Sequence, residues 1–245
     1  MDDLVKYFGA AYLINLRERK DRLASATKEF ARAQWQFGSR GVQLYAAQRF
    51  TDRAGFPSPQ VRGCFYSHWE CLRAAYSQGQ KSVLVMEDDI ALVSSLQKLT
   101  SAIISQLDSA PWDILYLGHE DTGNIEQATS RTTEIRLMPF KEVIRGCHFY
   151  AVNNRIFVRL LDHLHRVATG KEGDQQFGPM PIDGALSIFR RNNPDVVGLI
   201  AVPKIGWPKS SRSDITPRFF DNFKLAQPLI SVLRNVKNVS MRWNS

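Results

Sequence analysis

Cysteine is scarce in this chain: three in 245 residues, at Cys64, Cys71 and Cys147. An odd, sparse set excludes a disulfide framework of the secreted kind. Cys64 and Cys71 are seven residues apart and so share a face if the segment is helical. There is no CxxC and no close histidine pair, which argues against zinc and for small buried hydrophobes. Long apolar runs are also missing: none approaches the ~20 residues that a bilayer crossing needs. The opening "MDDLVKYFGAAYLINL" carries two acids where a signal peptide carries basic residues. The expected location is therefore cytoplasmic. No internal repeat or low-complexity block stands out. The glycine-rich signature that a nucleotidyltransferase carries at its first strand is absent too.

What is present is an ordinary globular composition, 44% hydrophobic and 23% charged, enough for one substantial core. The net charge is +8, and the excess is late: from Lys204 onward eight Lys/Arg face only Asp214 and Asp221. Such a bias suits an anionic partner such as a nucleotide phosphate, a phosphorylated glycan or a membrane surface, and equally a plain solvated surface. Nucleic acid is not an expected partner, because no nucleic-acid motif is present and the basic residues are not interleaved with aromatics.

Along the chain, short apolar runs alternate with helical spacing. "AAYLINL", "VQLYAA", "KSVLVMED", "WDILYLG", "TEIRLMP", "VIRGCHFYAVN" and "VVGLIAVP" read as strands. "RKDRLASATKEFARAQW", "CFYSHWECLRAAYSQ", "SSLQKLTSAIISQL", Asn154–Val167 and Ile182–Arg191 read as helices, and "TDRAGFPSPQVRG" reads as a loop. This alternation predicts an α/β fold with a mostly parallel central sheet. Ligands of such sheets bind beyond the carboxyl ends of the strands.

"VLVMEDDI" reaches that position with three adjacent carboxylates, Glu87, Asp88 and Asp89. Ionised side by side and partly buried, they repel one another unless one holds a proton or a cation joins them. All-oxygen donors favour a hard divalent cation, Mg²⁺, Mn²⁺ or Ca²⁺, whose open positions take substrate phosphates. The bland alternative is an acidic turn at a helix start.

Other motifs stand in a fixed order around the triplet: "YLINLRERKDR", "RGCFYSHWECLRAA", "VLVMEDDI", "WDILYLG", "GCHFYAVNN", "PIDGALS" and "SDI". Together, from Tyr12 to Ile215, they resemble glycosyltransferase family 25, the group of lipopolysaccharide and collagen galactosyltransferases. The resemblance implies a GT-A-type, Rossmann-like single domain with a mixed, mostly parallel sheet. It further implies an inverting transfer of a hexose, galactose by default, from a UDP-linked donor to a glycan acceptor, with Mn²⁺ or Mg²⁺ as cofactor. Asp89 is then the leading metal ligand with Asp88 beside it, and Glu87 or Asp88 contacts the ribose or a metal-bound water. Asn15, Arg17 and Arg22 form the nucleotide edge, since guanidinium forks suit phosphate. Gly63, Ser67 and His68 line the donor pocket, with Gly63 just before a helix whose N-terminus attracts anions.

An inverting transfer needs a base for the acceptor hydroxyl. Asp183 matches the family's P-x-D; as the start of an apparent helix it is equally a capping residue. Glu120 and Asp121 are held in reserve. "SDI", with Lys209 and Arg212 nearby, is expected to close over the diphosphate. The catalytic domain is expected to span 1–221. A basic tail, 222–245, then docks on the domain or lies on an anionic inner membrane. Against an enzyme stands a non-catalytic glycan- or nucleotide-binding protein of the same fold.

Overall fold

The computed structural model describes residues 4–38, 41–120 and 134–209. After one helical turn, α1 (Leu4–Tyr7), come β1 (Gly9–Asn15), α2 (Lys20–Arg32), β2 (Val42–Ala46), α3 (Pro59–Ser77), β3 (Ser82–Glu87) and β4 (Ile90–Leu92). There follow α4 (Leu96–Ser109), β5 (Ile114–Gly118), β6 (Arg136–Pro139), β7 (Phe149–Asn153), α5 (Phe157–Thr169), α6 (Ile182–Asn192), β8 (Gly198–Val202) and β9 (Gly206–Pro208).

Seven strands form one sheet in the order β2-β1-β3-β7-β5-β8-β6. β2, β1, β3, β5 and β8 share one direction; β7 and β6 run against them. The α/β class and the mostly parallel mixed sheet are as expected. Helices cover both faces, which is why β3 and β5 read as continuous apolar runs. Alternate residues serve opposite cores. Leu84 and Met86 pack with Leu13, Phe30 and Ile103 on the side of α2 and α4. Val83 and Val85 pack with Tyr12, Leu72, Leu160 and Leu186 on the side of α3, α5 and α6.

One expectation changes and one alternative falls. Helix α3 begins at Pro59, not Cys64. Ser58 accepts a hydrogen bond from the Val61 amide at 3.2 Å, and proline occupies the first turn, a strong start signal hidden inside a proline-rich stretch. The acidic triplet does not open a helix. Asp88 and Asp89 form the turn between β3 and β4, and β4 pairs antiparallel with β9. The Lys209 amide continues that pairing onto the Asp89 carbonyl at 2.7 Å. The proposed boundary at 221/222 lies outside the described residues.

Candidate active site

The parallel strands all end on one edge of the sheet, and there the polar residues converge. β1 ends in Asn15 and β3 in Glu87, while the segment after β2 brings Gln48, Arg49 and Phe50 alongside. Asn15 donates its side-chain amide to Asp88 Oδ2 at 2.7 Å and to the Arg19 carbonyl at 3.2 Å. From α2, Arg22 Nη1 lies 2.9 Å from Asp88 Oδ1 and 3.5 Å from Asp89 Oδ2. Arg22, Gly63, Cys64, Ser67, His68 and the triplet line one cavity together with Gln48–Phe50.

The three carboxylates differ electrostatically. Burial pushes Glu87 up, but the imidazole of His68 at 3.4 Å, with His148 and Arg22, outweighs it, and Glu87 sits below the usual range. Asp88 is raised by burial despite Arg22 and Asn15. Asp89 is pushed up to about 7, by burial first and then by the charge of Glu87, which Arg22 only partly offsets. Asp89 Oδ1 is buried with no hydrogen-bond partner. An orphaned oxygen on a carboxylate that struggles to ionise is what a hard divalent cation would satisfy. The oxygen donors of Asp88 and Asp89 therefore fit such an ion.

Several residues have duties that sequence did not disclose. Gly63 lies inside α3, and a Cβ there would come 2.3 Å from the Gln48 carbonyl. Its missing side chain admits the neighbouring chain, not a ligand at a helix N-terminus. Ser67 donates to the Gly63 carbonyl at 2.7 Å and accepts from the Gln48 amide at 2.9 Å, clamping the same contact. His68 is fully buried, with Nδ1 3.1 Å from the Tyr150 hydroxyl. Arg17 is exposed and lines a second groove with Lys20, Leu23 and Leu44, which Asn15 also lines. Lys209 Nζ binds Glu29 at 2.9 Å and Ser25 at 2.6 Å on α2, so its ammonium is committed away from the expected diphosphate.

Asp183 is the second residue of α6, with Pro181 in the cap position and no side-chain cap. Its oxygens accept from the Gly146 amide at 3.1 Å and the Gly184 amide at 2.8 Å. Gly146 has a left-handed φ of 76°, and a Cβ there would stand 3.2 Å from Glu120. The two acidic candidates thus flank one glycine. The Cys64 thiol is pushed up by burial and then by Glu87, Asp183 and Asp89, so Asp183 shares the field of the cluster. Asp121, Arg212 and Asp214 lie outside the described residues.

Sequence reasoning missed Gln48–Phe50 and the proximity of Cys64 to His68 and Glu87. The first follows from β2 lying parallel to β1. The second was visible as a four-residue spacing on a helix.

Comparison with known proteins bears on this geometry. Residues 58–170, which carry α3, the triplet and β7, match the model of glycosyltransferase family 25 (LPS biosynthesis protein). A Bos taurus protein named "Probable inactive glycosyltransferase 25 family member 3" is 29% identical over 68 residues, 27% of this chain and 11% of that protein. The chain thus spans only about a tenth of that relative. A glycosyltransferase involved in glycosylation of the major capsid of PBCV-1 superposes with a TM-score of 0.48 at 10% identity, covering 83% of this chain and 93% of its own. Mouse xyloside xylosyltransferase 1 gives 0.40 at 9% identity, over 76% and 83%. The sheet is mixed and mostly parallel, with antiparallel β7 between β3 and β5.

Proposed function

We propose that the chain is a metal-dependent, inverting glycosyltransferase. It moves a hexose, galactose by family likeness, from a UDP-sugar to a glycan acceptor such as lipopolysaccharide or another surface polysaccharide. The observation that carries this reading is the Asp88–Asp89 turn at the carboxyl edge of the sheet, with one buried carboxylate oxygen unsatisfied.

Asp89 and Asp88 hold the ion, which when bound supplies charge stabilisation for the departing diphosphate. Asn15 fixes Asp88 at the nucleotide edge. Arg22 neutralises the pair from α2 and is the residue placed to shift toward a phosphate. Glu87 and His68 wall the donor cavity, which Gly63 and Ser67 shape through Gln48. Asp183 takes the proton of the attacking acceptor hydroxyl. Each of its oxygens already accepts one backbone amide, and each keeps a further lone pair. The basic tail meets the anionic acceptor or an anionic membrane surface. No helix among the described residues is long and apolar enough to cross a membrane.

The test is release of UDP from UDP-galactose with a lipopolysaccharide acceptor, with and without Mn²⁺, for the native chain and Asp89→Ala. Metal-dependent release lost in the variant supports the proposal; equal release in both removes it.

One observation favours a second reading, a nucleotide- or glycan-binding protein without turnover. Arg22 already bridges Asp88 and Asp89 as an internal cation. On that reading UDP binds with the same affinity whether or not Mn²⁺ is present, and no transfer is measured.

A further inference from the structure

Beside the Asp88–Asp89 turn, a second set of donors converges. Cys64, His68 and Glu87 bring a thiol sulfur, an imidazole nitrogen and a carboxylate oxygen within 4.8 Å of one another. Cys64 and His68 are one turn apart on α3, so their side chains share a face; Glu87 meets them from the end of β3. Cys64 is partly open to the cavity, while Cys71 and Cys147 are buried; Cys147 lies within the electrostatic reach of Cys64 and Glu87.

His68 decides what this cluster is for. The side chain is 0% exposed. Its Nδ1 is engaged by the Tyr150 hydroxyl at 3.1 Å, and the two rings stack with centroids 5.7 Å apart. Its Nε2 is buried with no hydrogen-bond partner. Glu87 Oε1 stands 3.4 Å away, outside hydrogen-bond geometry. Buried polar atoms are rarely left so, because the lost solvation is uncompensated. In the tautomer whose Nδ1–H donates to the Tyr150 oxygen, Nε2 carries a lone pair that a cation would take in place of the proton shared toward Glu87. An outer partner of this kind orients metal-binding histidines.

The spacing fits an ion. A tetrahedral zinc with bonds to nitrogen and oxygen of about 2.0–2.1 Å holds those two ligands about 3.4 Å apart, the separation that His68 and Glu87 already have. Sulfur and imidazole select a borderline-soft cation, whereas the oxygens of Asp88 and Asp89 select a hard one. We propose that Cys64, His68 and Glu87 bind Zn²⁺ as three protein ligands, with the fourth position open to the cavity for water or an anionic oxygen. Cys64 gives its proton to solvent on binding. The site is distinct from the hard-cation site and does not rest on transfer activity. The two share only the neighbourhood of Glu87.

The experiment is titration of the reduced full chain with Co²⁺, a spectroscopic substitute for zinc. One equivalent is expected to produce thiolate-to-cobalt charge-transfer absorption that one equivalent of Zn²⁺ then abolishes. Cys64→Ser is expected to lose the band and to weaken Zn²⁺ binding at least tenfold, while Cys71→Ser keeps both. Absence of the band in the native chain, or an unchanged band in Cys64→Ser, overturns the proposal. Should the serine variant not fold, alkylation of the native chain mapped by mass spectrometry decides. Protection of Cys64 by Zn²⁺ supports the site, and equal labelling with and without Zn²⁺ overturns it.

Discussion

Asn15 donates its side-chain amide to Asp88 at 2.7 Å, joining the ends of β1 and β3. Both residues are buried, at 4% and 5% exposure. A buried carboxylate that loses such a donor is left under-solvated. Asn15→Ala is therefore expected to lower unfolding stability by about 1–3 kcal/mol, measured by urea denaturation without metal. Stability unchanged within error would mean that water replaces the amide and that Asn15 has no positioning role.

Asp89 makes metal-free stability depend on pH. Its folded-state pKa is raised from 3.8 to about 7. Between those values the folded protein binds more protons than the unfolded one, so the group's contribution is full below the lower value and is lost as pH rises through the higher. Asp89→Asn removes that loss. The variant is expected to gain roughly 1–3 kcal/mol over the native chain at pH 8 and little at pH 4, read from paired denaturation curves in chelator. An equal difference at both pH values would show that Asp89 ionises normally.

Gly63 is a steric requirement. The Gln48 carbonyl would lie 2.3 Å from a Cβ there, and a backbone atom cannot swing aside as a side-chain tip can. Gly63→Ala is expected to cost about 1–3 kcal/mol as overpacking and to loosen Gln48–Phe50 along the cavity. Amide hydrogen exchange over 47–50, faster in the variant, is the check.

Asp183 and Glu120 compete for the role of base. Asp183→Asn keeps an oxygen for the Gly146 or Gly184 amide, so the fold is expected to persist while transfer falls about 10²-fold or more. Glu120→Gln is expected to retain most activity. The reverse pattern in initial rates would exchange the two assignments.

Much of this arrangement was legible in the chain, for physical reasons that can be named. A strand buried on both faces is a continuous apolar run, so "VLVM" followed by three acids marks a strand end with polar business beyond it. Alternating strand and helix periods sufficed for a parallel α/β sheet. The short pairing of β4 with β9 was not legible. Three-residue strands carry no period, and their partners lie more than a hundred residues apart in sequence. The steric need at Gly63 was not legible, because the carbonyl it accommodates, Gln48, comes from another element. Cys64 and His68 had the right helical spacing, yet without Glu87 in view they read as core. Lys209 looked free to meet phosphate; its acidic partner, Glu29, is buried on α2 and distant in sequence.

The most direct test of the central claim is thermal stability with UDP, with and without Mn²⁺, for the native chain and Asp89→Ala. Ligand at ~100 times its dissociation constant stabilises by about 2.7 kcal/mol. The expected result is a clear rise in Tm for the native chain only when UDP and Mn²⁺ are both present, and none in the variant. A UDP shift that ignores Mn²⁺, or one that survives in Asp89→Ala, would contradict a metal–diphosphate site at the Asp88–Asp89 turn.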